Sequence, residues 1–455
     1  MTMTQLARTF RLALLAACLT ALGAYASAQL VAATPRDWTV IVYMNGKNSL
    51  ELDALNNFDA MASVGGSDQV AIVTELGRPK KHYTSARGGW SGVYRFVMIK
   101  GRKPLPKEAV EKVPAGLASD MGEPDTLVSF IAWTRRKYPA KHYMVIVWNH
   151  GQGYRLMFSR LMANMSSAER ARLQMAATSP SGKIGGYRAV SSDDDTHSIL
   201  YNAEVASALA KNFSATDKLD LLGFDACLMS MMETAYALDQ NVGLMVASEE
   251  LEPGDGWQYR DWLSRLVADP TLSPNALGRA VVETYGTHYP ESYTTMALLD
   301  LSHTRAAATQ LSAFADAVRA AGLGEMQMLR AARSELSAYG DWYDPPSYLS
   351  VDLGTLLDRY RIRTGNAALA TRAATTITAV NAMVVANYAS QKAQGGNGEK
   401  LYGSKGVAIY YPSSAATFRD DPFHKGYLKA NTDRPVAFVR DEHWADLLYD
   451  LLGVH

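Results

Sequence analysis

Cysteine is nearly absent: the 455-residue chain holds only Cys18 and Cys227. Two thiols exclude a disulfide-stapled miniprotein and a zinc site built from four cysteines. Charge of one sign is missing as well, with 45 Lys and Arg against 45 Asp and Glu. Without basic blocks, that balance argues against electrostatic binding to nucleic acid. Past the N-terminus no segment approaches the roughly 18 consecutive apolar residues of a membrane helix. The low apolar content of disordered chains is absent too, since 48% of the residues are hydrophobic. At roughly 150 residues per domain the length allows up to about three domains, or one large α/β domain with a sizeable core.

The N-terminus reads as an export signal. Arg8 and Arg11 precede an apolar run from Leu12 to Ala24, and Ala26-Ser27-Ala28 supplies the small-residue pattern for cleavage after Ala28. Leu15-Ala16-Ala17-Cys18 offers a competing reading as a lipobox with a lipid-anchored Cys18, but the apolar run continues past that cysteine. Removal of residues 1–28 leaves 43 basic against 45 acidic residues and a single Cys227. A lone thiol in an exported protein is either buried and inert or reactive.

Short apolar runs alternate with helical patterns, which predicts an α/β fold with a mainly parallel sheet and crossover helices. The clearest strands are Trp38 to Met44, Gln69 to Thr74, Tyr143 to Trp148, Leu219 to Phe224 and Val242 to Ala247. Helical patterns cover Leu50 to Ala62, Asp125 to Lys137, Ala203 to Lys211 and Leu228 to Leu238. The stretch 154–190 breaks this rhythm as an exposed basic insertion running into Asp193-Asp194-Asp195. After about residue 300 the pattern becomes mostly helical, with Thr304 to Ala321 and Ala367 to Ala386 as its best cases and a late strand from Gly406 to Tyr411.

Most of the nine His need no functional reading, but His150 stands two residues past an apolar strand. Active sites of parallel sheets form outside the carboxyl ends of strands, and that is its address. Cys227 has the same address, following the strand Leu219 to Phe224 through Asp225-Ala226 and standing just before the helical pattern from Leu228. A thiol at a helix N-terminus would have its pKa lowered by the dipole. Thiol catalysis needs a thiolate, a His to protonate the leaving amine and N–H donors for the oxyanion. The backbone amides of Gly151 and Cys227 are the candidate donors. Asp225 reads by itself as a helix N-cap and Asp255, within Pro253-Gly254-Asp255-Gly256, as a turn residue.

Four blocks in order carry a family resemblance: Trp38 through Gly46, Trp148-Asn149-His150-Gly151, Gly223 through Met229, and Ala247-Ser248-Glu249-Glu250 with Pro253 through Trp257. Together they resemble the clostripain family of cysteine peptidases over roughly residues 36 to 300. The resemblance implies a caspase-like three-layer α/β/α sandwich in that stretch, followed by a C-terminal region over 301–455. It implies a His150/Cys227 dyad and hydrolysis of peptide bonds after Arg or Lys, with Asp225 and Asp255 as the acids that select the basic side chain.

The resemblance also implies processing between the His and Cys blocks, for which Arg155, Arg160, Arg170, Arg172, Lys183 and Arg188 are candidates; a solvated basic face is the plainer reading of those residues. No cofactor or metal is expected, although Asp193-Asp194-Asp195 invites a calcium reading because some relatives depend on that ion. The run lacks the spacing and Gly of an EF-hand loop. The expected partners are peptide or protein substrates, in the periplasm or outside the cell. The competing functions are a noncatalytic caspase-like binding or scaffold protein at the cell surface and a cysteine transpeptidase that shares every residue named.

Overall fold

The computed structural model describes residues 35–151, 189–343, 349–395, 400–421, 424–431 and 436–454. The export signal, Cys18 and the six processing candidates Arg155, Arg160, Arg170, Arg172, Lys183 and Arg188 lie outside the described residues.

The expected strands form the centre of one large sheet. Strands β1 (Arg36–Asn45), β2 (Val70–Arg78), β3 (Gly92–Val97), β4 (Glu111–Lys112) and β5 (Ala140–Trp148) precede a small hairpin of β6 (Ala189–Asp193) and β7 (Ser198–Tyr201). Next come β8 (Leu219–Asp225), β9 (Val242–Ala247), β10 (Thr295–Asp300), β11 (Ser350–Asp352), β12 (Val384–Ala389) and β13 (Ala408–Tyr410). The nine-stranded sheet runs β12-β10-β9-β8-β5-β1-β2-β3-β4. Its middle is parallel: β1 pairs with β2 and β5, β5 with β8, and β8 with β9. Both flanks are antiparallel, which ends the crossover pattern at each edge.

β1 shows why these runs are apolar throughout. Ile41 and Tyr43 point into one core with Leu127, Phe130, Val205 and Leu209. Trp38, Val40, Val42 and Met44 point into the other with Phe58, Met61, Trp262 and Tyr285. Alternate side chains of a strand face opposite sides, so a sheet covered on both faces needs apolar residues at every position. On the second of these faces lie α1 (Glu51–Val64), carrying Phe58 and Met61, and the helices Tyr259–Ala268 and Pro274–His288. Helices Pro124–Lys137 and Asn202–Ala210 cover the first, with much of the chain after residue 300 packed into the same core. The result is the three-layer sandwich.

Two helix expectations change. The pattern over Leu228–Leu238 becomes helical only at Met232, because Leu228 turns into the left-handed region at φ 63°. The Ala-rich run over Ala367–Ala386 ends as a helix at Met383; its β-branched Val384-Val385 opens β12, which pairs antiparallel with β10 in the central sheet. The sheet therefore takes a strand from beyond residue 300. The late strand also serves the centre: the Ala408 N–H donates to the Ser230 carbonyl, and the Ser230 hydroxyl donates to the Gly406 carbonyl. That bracing lies three residues past Cys227.

Candidate active site

Strand register places the loops that carry His150 and Cys227 side by side. Trp148 at the end of β5 pairs with Asp225 at the end of β8. His150 and Cys227 each lie two residues beyond these partners. Adjacent strands are about 4.8 Å apart, so the two loops leave the sheet as neighbours. Gly151 closes the gap. A Cβ built on it would come within 2.3 Å of the Cys227 carbonyl oxygen and 2.6 Å of the Cys227 nitrogen, so any larger residue would push the loops apart.

The Glu252 N–H donates to the Cys227 sulfur at 3.2 Å, and the Gly151 N–H lies near enough to the thiol to oppose a rise in its pKa. The thiol is partly exposed. Behind it, Leu228 holds a positive φ uncommon for a bulky residue, and its N–H donates to the Glu250 carbonyl. The Cys227 loop is thus a sharp turn fastened to the segment after β9.

The expectation that Cys227 sits at a helix N-terminus is corrected here. The helix starts at Met232, and the thiol pKa is raised, to about 12, by burial and by the carboxylates of Glu252 and Glu250. The two backbone donors oppose the rise without cancelling it. The protonated thiol is thereby favoured at neutral pH.

His150 is held differently. Its Nε2 lies 3.0 Å from the Ser49 hydroxyl, and its N–H donates to the Asn149 side-chain oxygen at 2.6 Å. That oxygen also accepts from the Ser192 N–H at 3.3 Å, while Asn149 Nδ2 donates to the Asn45 carbonyl at 2.6 Å. Asn45 and Asn48 in turn donate to the Ser192 carbonyl at 2.8 and 2.9 Å. Lys47 adds an ion pair to Asp193 at 2.6 Å, with the two residues 3% and 1% exposed.

The first residues after the basic insertion are thereby fastened to the histidine loop. The acidic run is occupied by protein donors: Asp193 takes Lys47 and the Met121 N–H, Asp194 takes the Tyr83 hydroxyl, and Asp195 takes the Lys80 N–H. Among the described residues no three His, Cys, Asp or Glu side chains are grouped to hold a metal ion.

Asp225, 4% exposed, is not a helix N-cap. It accepts from the Tyr259 hydroxyl at 2.8 Å and the Trp257 N–H at 3.4 Å, and a Cβ on Gly256, which has φ 66°, would meet its oxygens at 3.0 Å. Burial raises its pKa to about 7. Glu252 is its neighbouring carboxyl, and burial together with Asp225 holds it well above the usual carboxylate range. The Ala226 N–H and Trp257 Nε1 also donate to Glu252.

Glu252 went unread in the sequence, although Glu249-Glu250-Leu251-Glu252 directly follows a strand end. Asp255 occupies the turn read from its neighbours: the Gly256 N–H donates to the Pro253 carbonyl, and the exposed Asp255 accepts from Asn57 through its own carbonyl. Its carboxylate lies close enough to Asp53 to raise that group's pKa, after burial.

The strand order, the paired loops and the thiol beside the His150 loop are the setting in which the family comparison has meaning. The family model described as "Clostripain family" matches residues 42–163 and 180–450. The chain belongs to the clostripain family. Clostripain from Hathewaya histolytica is 24% identical over 243 residues, which is 50% of this chain and 42% of that protein. The match thus spans less than half of that relative's length.

An inactive zymogen of a C11 protease from Parabacteroides distasonis superposes with a TM-score of 0.57 at 18% identity, covering 83% of this chain and 93% of the zymogen. A secreted C11 cysteine protease from Bacteroides thetaiotaomicron, solved with an irreversible peptide inhibitor, gives a TM-score of 0.52 at 16% identity over 91% and 99% of the two chains. These clostripain-family neighbours share the caspase-like fold, and the family is one of cysteine peptidases.

Proposed function

We propose that the protein is an exported thiol endopeptidase in which Cys227 and His150 cut peptide bonds after Arg or Lys. The observation that carries this reading is the register of β5 and β8, which sets the His150 and Cys227 loops flush at the carboxyl edge of the sheet with Gly151 packed against the Cys227 backbone. Cys227 Sγ attacks the carbonyl while its proton passes to His150. The imidazolium protonates the leaving amine, and water then hydrolyses the thioester with His150 as base. The amides of Gly151 and Cys227 are the donors proposed for the oxyanion.

Selection of a cation rests on Asp225 and Glu252 beneath the nucleophile turn, with Asp255 at its rim. A buried carboxyl pair that shares a proton can release it when a guanidinium or ammonium arrives, exchanging one positive charge for another. Self-processing in the 154–190 insertion and cleavage of the export signal after Ala28 belong to the same proposal. No helix among the described residues is long and apolar enough to cross a membrane.

The test is cleavage of matched fluorogenic peptides with Arg, Lys, Asp or Leu before the scissile bond, with and without calcium, by wild type and Cys227→Ala. Turnover confined to Arg and Lys and lost in the variant supports the reading. A folded wild type that cleaves none of them points to a binding protein, and transfer to an added amine in place of hydrolysis points to a transpeptidase.

A further inference from the structure

We propose that Ser49 is the positioning residue of His150, fixing which ring nitrogen exchanges protons with the thiol; the inference rests on the thiol-peptidase reading of the site. The Ser49 hydroxyl lies 3.0 Å from His150 Nε2. Although the hydroxyl is exposed, the backbone that carries it is clamped on both sides.

Asn48 before it donates to the Ser192 carbonyl at 2.9 Å and caps the turn by accepting from the Leu50 N–H at 2.9 Å. Glu51 after it is fully buried, paired to Arg78 at 2.7 Å, and accepts from the Tyr83 and Thr84 N–H groups at 2.6 and 3.1 Å. The Glu51 N–H closes the turn on the Asn48 carbonyl at 3.1 Å. A hydroxyl on such a turn is a preorganised partner, in the way that outer-shell groups orient a catalytic histidine.

The chemistry follows from the acceptor capacity of the hydroxyl oxygen. With Ser49 Oγ accepting, the Nε2–H tautomer is retained and Nδ1 keeps the lone pair. Nδ1 then takes the Sγ proton as the thiolate attacks and gives that proton to the departing amine, while Nε2–H stays on Ser49 throughout. During the step the ring is an imidazolium, and the same bond stabilises its charge. Because Ser49 acts through His150, its loss lowers turnover without removing it.

Ser49→Ala, Ser49→Thr and wild type separate this from a structural effect. Ser49→Ala is expected to lower kcat about fivefold to tenfold with KM little changed, the worth of one hydrogen bond realised in the reacting state, and Ser49→Thr to restore most of it. A ¹⁵N spectrum of the histidine rings, with His150 assigned by its loss in His150→Gln, should show the His150 Nε2 signal moving in Ser49→Ala and not in Ser49→Thr. Equal kcat in wild type and Ser49→Ala, or unchanged ring signals, overturns the assignment. Failure of wild type to hydrolyse any basic peptide sinks the peptidase reading separately, and the ring signals still decide the Ser49 contact.

Discussion

The two loops that meet at the carboxyl edge of the sheet are fastened by opposite kinds of chemistry. The His150 loop is tied by neutral amides, Asn45, Asn48 and Asn149, and by the buried Lys47–Asp193 pair. The Cys227 loop is tied by carboxyls: Glu252 accepts from the Ala226 N–H, and Asp225 and Glu250 stand beside it, all with pKa values raised by burial. Neutral amides hold their geometry at any pH, whereas raised carboxyls titrate in the range where enzymes work. The comparison teaches that the amides on the histidine side keep their geometry across the pH range, while the carboxyls on the thiol side change charge within it.

The largest break of that comparison is the thiol itself. Cys227→Ala should lower hydrolysis of a basic peptide by on the order of 10⁴-fold or more while leaving the thermal unfolding midpoint nearly unchanged, checked by fluorogenic assay and melting curve. Next comes the frame: Lys47→Met leaves Asp193 buried without its partner and should cost about 3–5 kcal/mol, read from urea unfolding. Asn149→Ala orphans the Ser192 and His150 N–H groups on the histidine side. It should cost about 1–3 kcal/mol and reduce kcat more than KM, measured by unfolding and steady-state kinetics.

Smaller effects sharpen the carboxyl side. Glu250→Gln removes a carboxyl that titrates at about 8 and raises the thiol pKa, so iodoacetamide should alkylate Cys227 a few-fold faster at pH 9 than in wild type. The folded pKa values of Glu75 and Asp225, about 7, and of Glu250, about 8, exceed the unfolded ones. The stability they contribute is fully present below about pH 4 and is lost as pH rises through 7 to 8. Glu51, Glu283, Asp358 and Asp441 have lowered values and contribute only above the unfolded carboxylate range. The unfolding midpoint should therefore be higher at pH 5.5 than at pH 8, a modest shift visible by calorimetry.

The central strands were legible because a sheet covered on both faces writes apolar residues at every position, and the addresses of His150 and Cys227 followed from where those strands end. Less local features were hidden. β12 reads as the tail of an Ala-rich helix until β10 offers an edge to pair with. The start of the helix at Met232 depends on Leu228 adopting a left-handed turn, which no propensity of leucine announces.

In the site, the polar frame escaped notice because its members are far apart in the chain: Asn45, Asn149 and Ser192 meet only through the alignment of β1, β5 and β6. The raised thiol pKa depends likewise on Glu252, whose nearness to Cys227 comes from β8 and β9 lying side by side. Sequence reasoning placed a lowered value there from a helix dipole that the fold does not supply.

The most direct measurement is intact-mass labelling with a peptide chloromethyl ketone that ends in arginine, compared with one that ends in leucine. The account predicts one adduct from the arginine reagent, located on Cys227, absent in Cys227→Ala and strongly slowed in His150→Ala. Equal labelling by the leucine reagent, or an adduct formed as fast without the imidazole, would contradict it.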